Sequence, residues 1–237
     1  MQSSTKDSVK IWLKRNTHKT ILDCPSGDGW LFDSAPNSIV DGIDLYVQSN
    51  KNYRTHIAAD LSNGIPKELP KYDLIVCCEG IEHFGNPELF FRTSAEHLNP
   101  NGTLLITTPN TWQPSAKLQY GHRGFFPSFP CLVGKIEKGS HMHIMPWSFP
   151  QLYLYLSLSG FSNIKLHAQP LSSPKHFWER LLALPQIVYC KNRARKSKSL
   201  NEKEFWTQAA SPASTLGRNL FVTATQNELS SDLVHET

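Results

Sequence analysis

Short apolar runs separated by helical stretches constrain this chain more than any other feature. Five occur in its first half: Thr20–Asp23, Ser38–Asp44, Thr55–Ala59, Tyr72–Cys77 and Thr103–Thr108. Continuous apolar strands with helices between them predict an α/β fold, a mostly parallel sheet covered on both faces. Val9, Trp12, Leu13 and Asn16 start an amphipathic helix over 6–16. A second helix follows Asn86, which can cap it, with Pro87 and Glu88 in its first turn. Leu89, Phe90, Ala95 and Leu98 are its expected buried face, and Asn99-Pro100-Asn101-Gly102 its end.

The second half is less regular. Residues 110–145 are rich in Pro, Gly and aromatics, among them Trp112, Tyr120, Phe125, Phe126 and Phe129. A long irregular segment at this end of a sheet is expected to act as a lid or substrate loop, or else to be a surface excursion. A helix over 149–159, stopped by Gly160, precedes a strand over 161–167. Then come a helix over 174–189, a basic run of Lys191, Arg193, Arg195, Lys196 and Lys198, and a last strand over 218–225. The expected division is a core over 1–170, including the lid, and a C-terminal helical and basic segment over 171–237.

The 237 residues, with 39% hydrophobic and 19% charged, suit a globular chain. A net charge of +4 is too small to argue for nucleic acid. No stretch has the roughly 18 apolar residues of a membrane span, and the N-terminus lacks a signal-peptide core. Five cysteines without a CxxC pair read as packed thiols rather than disulfides or a zinc site. A cytoplasmic location is expected. The aromatic and basic stretch 174–200 offers peripheral membrane contact, or else a solvated helix and loop.

Chemistry-bearing residues gather at the carboxyl ends of the expected strands, where such sheets bind ligands. Asp23-Cys24-Pro25-Ser26-Gly27-Asp28-Gly29 leaves the first strand, and its glycines let a ligand approach the backbone. Asp44 ends the second strand, where an acid can accept two ribose hydroxyls. Asp60 and Leu61 follow the third and suit the amino group and face of an adenine.

Together these residues resemble the class I, Rossmann-like methyltransferases of type 11/23, whose first motif is Asp/Glu-x-Gly-x-Gly-x-Gly. Pro25 stands where that motif has its first glycine. The stretches YDLIVCCEGIEHF and HLNPNGTLLITTPN add to the likeness, which is closest over 18–110 and looser over 139–168. The resemblance implies a seven-stranded sheet with an antiparallel last strand. It implies S-adenosylmethionine as cofactor: Asp23, Ser26, Gly27 and Gly29 at its methionine part, Asp44 at the ribose, Asp60 and Leu61 at the adenine, and Glu79 in contact.

Glu79, Glu82 and His83 form Glu-x-x-Glu-His, which in a helical turn would point three ligands one way. The pattern resembles the ubiquinone-pathway O-methyltransferases, where a Gly-Thr-His follows; here Gly139-Ser140-His141-Met142-His143 stands in that place. It is also similar to that of metal-dependent small-RNA 2′-O-methyltransferases. The implied site holds a divalent cation such as Mg on Glu79, Glu82, His83 and His141. Alternatively His83, with His141 or His143, serves as a general base. The expected activity is O-methylation of a small molecule or glycan. The alternatives are an RNA-directed methyltransferase, with nucleic acid the less favoured partner, and a domain that binds cofactor without catalysis.

Overall fold

The computed structural model describes residues 3–46, 53–126, 143–169 and 176–226. Seven strands form one sheet in the order β3-β2-β1-β4-β5-β7-β6. They are β1 (Thr20–Asp23), β2 (Ile39–Asp44), β3 (His56–Ala58), β4 (Tyr72–Cys78), β5 (Leu98–Pro109), β6 (Phe161–Leu166) and β7 (Asn219–Gln226). β1 pairs in parallel with β2 and β4, β2 with β3, and β4 with β5. β7 runs antiparallel to both β5 and β6. This is the sheet that the sequence predicts.

The strands are apolar on both faces because each face meets its own core. On one side Ile21, Leu74, Val76, Leu105 and Phe221 pack with Val9 and Leu13 of α1 (Ser3–Arg15) and Leu31 of α2 (Trp30–Ser34). On the other, Leu22, Ile75, Leu104, Ile106 and Val222 meet α3 (Pro87–Glu96) and α5 (Phe149–Leu158) through Phe90, Phe91, Leu152 and Leu156. Cys24, Cys77, Cys78 and Cys190 are unpaired and buried, as expected of packed thiols. Among the described residues no helix is long and apolar enough to cross a membrane.

Several elements differ from expectation. α3 ends at Glu96, and Leu98, expected on the helix, already pairs with Tyr72 as part of β5. The turn signal at Asn99–Gly102 is absorbed as an irregularity in that strand, with Asn101 at φ 62°. The segment after β5 contains a helix, α4 (Pro114–Arg123), started by the Gln113 side chain accepting from Ser115 N. Residues 127–142 of the expected lid lie outside the described residues. α6 (Phe177–Lys196) runs through Pro185 and takes most of the basic run into its last turns. α7 (Leu200–Ala209) and α8 (Pro212–Thr215) complete the chain before β7. Propensity alone does not reveal such late helices, since packing onto neighbours makes them stable.

Asp41 of β2 ties that strand to β4 and to the segment that leads into β3. Its buried carboxylate accepts from Tyr72 Oη at 2.7 Å, Thr55 N at 3.1 Å and Arg54 Nε at 3.0 Å, and pairs with the Arg54 guanidinium. Burial pushes this carboxyl up, but the hydrogen bonds from Arg54 and Tyr72, with the Arg54 charge, outweigh it and hold it below the usual range. A lowered folded pKa adds stability above the unfolded value and loses it as the pH falls through the folded one. Asp41→Ala is therefore expected to cost about 2 kcal/mol at pH 7, from the donors left unpaired. In urea titrations the gap between variant and natural protein should narrow below about pH 4. An equal gap at all pH values would show that the charge is not involved.

Candidate functional site

The strand order reverses between β1 and β4, and the turns leaving these two strands form the site. After β1, Cys24 N donates to Val76 O at 2.9 Å and Ser26 N to Ile43 O at 2.9 Å, so the loop spans β4 and β2. Gly27 (φ 51°) and Gly29 (φ 75°) take the left-handed backbone that the turn into α2 needs. Gly27 N donates to Asp44 Oδ2 at 2.9 Å, and Tyr46 N to the other oxygen of Asp44 at 3.1 Å. Asp60 Oδ1 accepts from Ser62 N at 2.9 Å and starts a short 3-10 turn over Leu61–Asn63. After β4, Glu79 turns sharply at φ 52° while its N–H donates to Thr107 O at 2.8 Å. Gly80 lies so close to the loop that a Cβ there would stand 2.4 Å from Pro25 Cδ.

These turns enclose a cavity of about 500 Å³. Of the residues expected at a cofactor, Ser26, Gly27, Asp44, Asp60, Leu61 and Glu79 line it. Asp23 and Gly29 do not. Asp23 lies beneath the loop, one oxygen accepting from Tyr53 Oη at 2.6 Å, and Gly29 is the N-cap of α2. Both therefore shape the loop. Cys78 and Phe84, which fall within the stretch YDLIVCCEGIEHF, also line the cavity, as do Tyr46 and Ile144, which no motif singles out in the sequence. A larger cavity of about 900 Å³, lined in part by Lys10, Lys14 and His18, lies at the amino ends of the strands, away from these turns.

The cavity fits a cationic nucleoside. Asp23 Oδ1 and Glu79 Oε1 are buried without a hydrogen-bond partner among the described residues. Burial pushes the Asp23 carboxyl well above the usual range, against the pull of Tyr53, and raises Glu79 as well. Acids held this way gain from a positive charge nearby, and a sulfonium with its amino group provides one. The side-chain-free face of Gly27, where a Cβ would meet nothing, leaves room for the ligand.

Glu82, His83 and His143 come together beside it, offering ligand atoms all within 4.8 Å of one another. The two rings meet edge to face with centroids 4.9 Å apart. Glu82 is buried; Thr108 Oγ1 donates to its Oε2 at 2.9 Å, and Oε1 has no partner among the described residues. Burial, and then the Glu79 charge, push Glu82 up to about 8. Its backbone carbonyl accepts from Ile144 N at 2.9 Å and Met145 N at 3.0 Å, which draws His143 in.

Glu79 is not part of this cluster, contrary to the expected ligand set. The segment after β4 is a strained turn and not a helix, so positions 79 and 82 do not share a face. Glu79 goes to the first cavity and Glu82 to a second one. His141 lies outside the described residues, and His143 is the histidine found at the site.

The second cavity, of about 350 Å³, is lined by Glu82, His143, Thr111, Tyr120, Phe126 and Met145 among others. Tyr120 and Phe126 stack with centroids 4.3 Å apart. Ile144 lines both cavities, so the cluster stands where they adjoin. Asp44→Ala removes an acceptor from the first cavity and frees Gly27 N. It is expected to weaken S-adenosylmethionine binding by at least tenfold in titration calorimetry. An unchanged affinity would remove Asp44 from the cofactor site.

Comparison with known proteins bears on the family and the fold. A family model described as a methyltransferase domain matches residues 4–165. Ubiquinone biosynthesis O-methyltransferase of Rickettsia prowazekii is 33% identical over 79 residues, 32% of this chain and 29% of that protein. The same enzyme of Rickettsia canadensis is 26% identical over 172 residues, 67% of this chain and 69% of that one. This chain spans less than a third of the length of the first curated relatives it matches. Among solved structures, YcgJ of Bacillus subtilis superposes with a TM-score of 0.56 at 14% identity, over 94% of this chain and all of the other. A SAM-dependent methyltransferase of Archaeoglobus fulgidus gives 0.53 at 14% identity, over 93% and 94% of the two chains. These likenesses show the fold. With the family match over most of its length, the chain belongs to the methyltransferase domain family, the class I S-adenosylmethionine-dependent methyltransferases.

Proposed function

We propose that the protein transfers the methyl group of S-adenosylmethionine to a hydroxyl oxygen of a small, apolar, ring-bearing acceptor. One arrangement supports this: Glu82, His83 and His143 stand where the cofactor cavity meets a second cavity walled by Tyr120 and Phe126. His83 lines the first, Glu82 and His143 the second. An acceptor ring laid against this aromatic wall would present its hydroxyl to the imidazoles. The polyhydroxyl face of a glycan or a ribose phosphate chain suits such walls less well. The names of the curated relatives, O-methyltransferases of ubiquinone biosynthesis, support oxygen as the acceptor atom.

In the reaction the S–CH₃ bond breaks as the O–CH₃ bond forms, in line, and the hydroxyl proton passes to His83 or His143. The cofactor supplies the reactivity, and the protein aligns the partners and keeps water out. The same three side chains suit a divalent cation, since Glu82 Oε1, which has no hydrogen-bond partner among the described residues, and two imidazoles are a carboxylate–histidine donor set. Two imidazoles favour a transition metal over Mg, which prefers oxygen ligands. Such a cation, when bound, lowers the pKa of the acceptor hydroxyl.

Glu82→Gln and His143→Ala change residues outside the lining of the cofactor cavity. Each is expected to lower turnover of labelled methyl groups onto a panel of phenols and catechols by about a hundredfold or more, with S-adenosylmethionine affinity nearly unchanged. Full turnover in both would refute the role of the cluster, and absence of turnover in the natural protein with every hydroxyl acceptor would refute oxygen methylation. Elemental analysis tests the cation separately. Equal metal content in the natural protein and both variants would exclude it from this place.

A further inference from the structure

α6 has two opposed faces. Glu179, Ala183 and Cys190 are buried against the rest of the protein. Half a turn away, Phe177, Leu181, Leu184 and Val188 recur at spacings of four, three and four residues and are 74%, 52%, 48% and 53% exposed. That spacing makes one continuous stripe. Lys191 and Arg195 continue it by the next steps of three and four, and Lys196 and Lys198 stand exposed beside its end. Trp178, Leu182 and Tyr189 flank the stripe, each more than a third exposed. The one acid in the helix, Glu179, is buried and paired with Arg218. Among the nearby charges Arg193 has a partner in Glu202 at 3.7 Å and lies over the Trp206 ring, so it adds little to the outward field.

We propose that α6 seats the protein on an anionic lipid surface, its apolar stripe entering the interface and its basic end meeting the headgroups. An apolar stripe with aromatic flanks and a cluster of lysine and arginine is what such a surface selects. A second copy of this chain fits less well. An antiparallel pair would press each basic end onto the partner's apolar half, and a parallel pair would bring like charges together. A nucleic acid would use the basic end and leave Phe177, Leu181, Leu184 and Val188 with no role. The place has a use for an apolar acceptor. Lys117 of α4 donates to Gln186 of α6 at 2.9 Å, and Tyr120 of the same α4 lines the second cavity. That use rests on the proposed function, but docking itself does not, because lipid binding is measured without turnover.

The test is cosedimentation of the full chain with phosphatidylcholine vesicles, with and without phosphatidylglycerol. Binding is expected to the anionic vesicles, to weaken in raised salt, and to be slight on pure phosphatidylcholine. Leu181→Glu with Val188→Glu should lower the bound fraction at least tenfold. Lys191→Gln with Arg195→Gln should lower the partition coefficient by roughly fivefold for each charge removed. Unchanged S-adenosylmethionine affinity and circular dichroism in both variants show that they fold. Equal binding to both vesicle types, binding unaffected by either pair, or no binding by the natural protein overturns the proposal. A dimer that Leu181→Glu with Val188→Glu disrupts, or RNA binding that needs Lys191 and Arg195 but not Leu181 and Val188, overturns it as well.

Discussion

The contact of Gly80 with Pro25 governs the site. β1 and β4 are neighbours, and the chain leaves each in a tight turn at the point where the strand order reverses. A side chain at Gly80 would collide with the proline ring, so the two turns close on each other only with glycine in that place. Their closeness sets Gly27 beside Asp44 on one side and directs Glu79 to the first cavity and Glu82 to the second. Two hydrogen bonds to neighbouring strands, Cys24 N to Val76 O and Glu79 N to Thr107 O, hold the turns in register with the sheet.

The same region concentrates buried acids. Asp23, Glu79 and Glu82 each stand above the usual carboxylate range chiefly through burial, and each keeps one oxygen without a partner among the described residues. Such an arrangement costs stability in the free protein and is expected where a ligand completes it. Of the three, Glu79 faces the first cavity and Glu82 the second, while Asp23 lies beneath the loop. Asp41 is the contrast: equally buried, it is satisfied by four hydrogen bonds and serves the sheet alone.

Beyond the sheet, Arg218 links the late helices to the site. Its guanidinium pairs with Glu179 of α6 and with Gln113 and Ser115 at the start of α4, the bond to Ser115 Oγ being 2.6 Å. Asn110 adds bonds to Ser214 O at 2.9 Å and Gly217 O at 2.8 Å. The wall of the second cavity formed by Tyr120 is thus joined to the strand β7 and to α6 through short polar contacts. These are buried or half-buried, where such bonds carry more energy than in water.

The alternation of apolar strands and helices determined the sheet, because strands covered on both faces have few other ways to bury themselves. Ser26, Gly27, Asp44 and Asp60 were legible as neighbours around one cavity because they stand where strands end, and strand ends are where such sheets bind. Other features depend on contacts distant in sequence. Asp23 and Gly29 carry the expected motif yet shape the loop from beneath it, since Tyr53, thirty residues on, occupies the carboxylate. Glu79 parted from Glu82 because hydrogen bonding to β5 forced a left-handed turn where helical spacing suggested a common face. His143 joined Glu82 and His83 through backbone bonds from Ile144 and Met145, sixty residues away in the chain, and α4 and α6 found their places through Arg218. Periodicity records the burial of each element, whereas the pairing of side chains across elements depends on distances that arise only when the chain has folded.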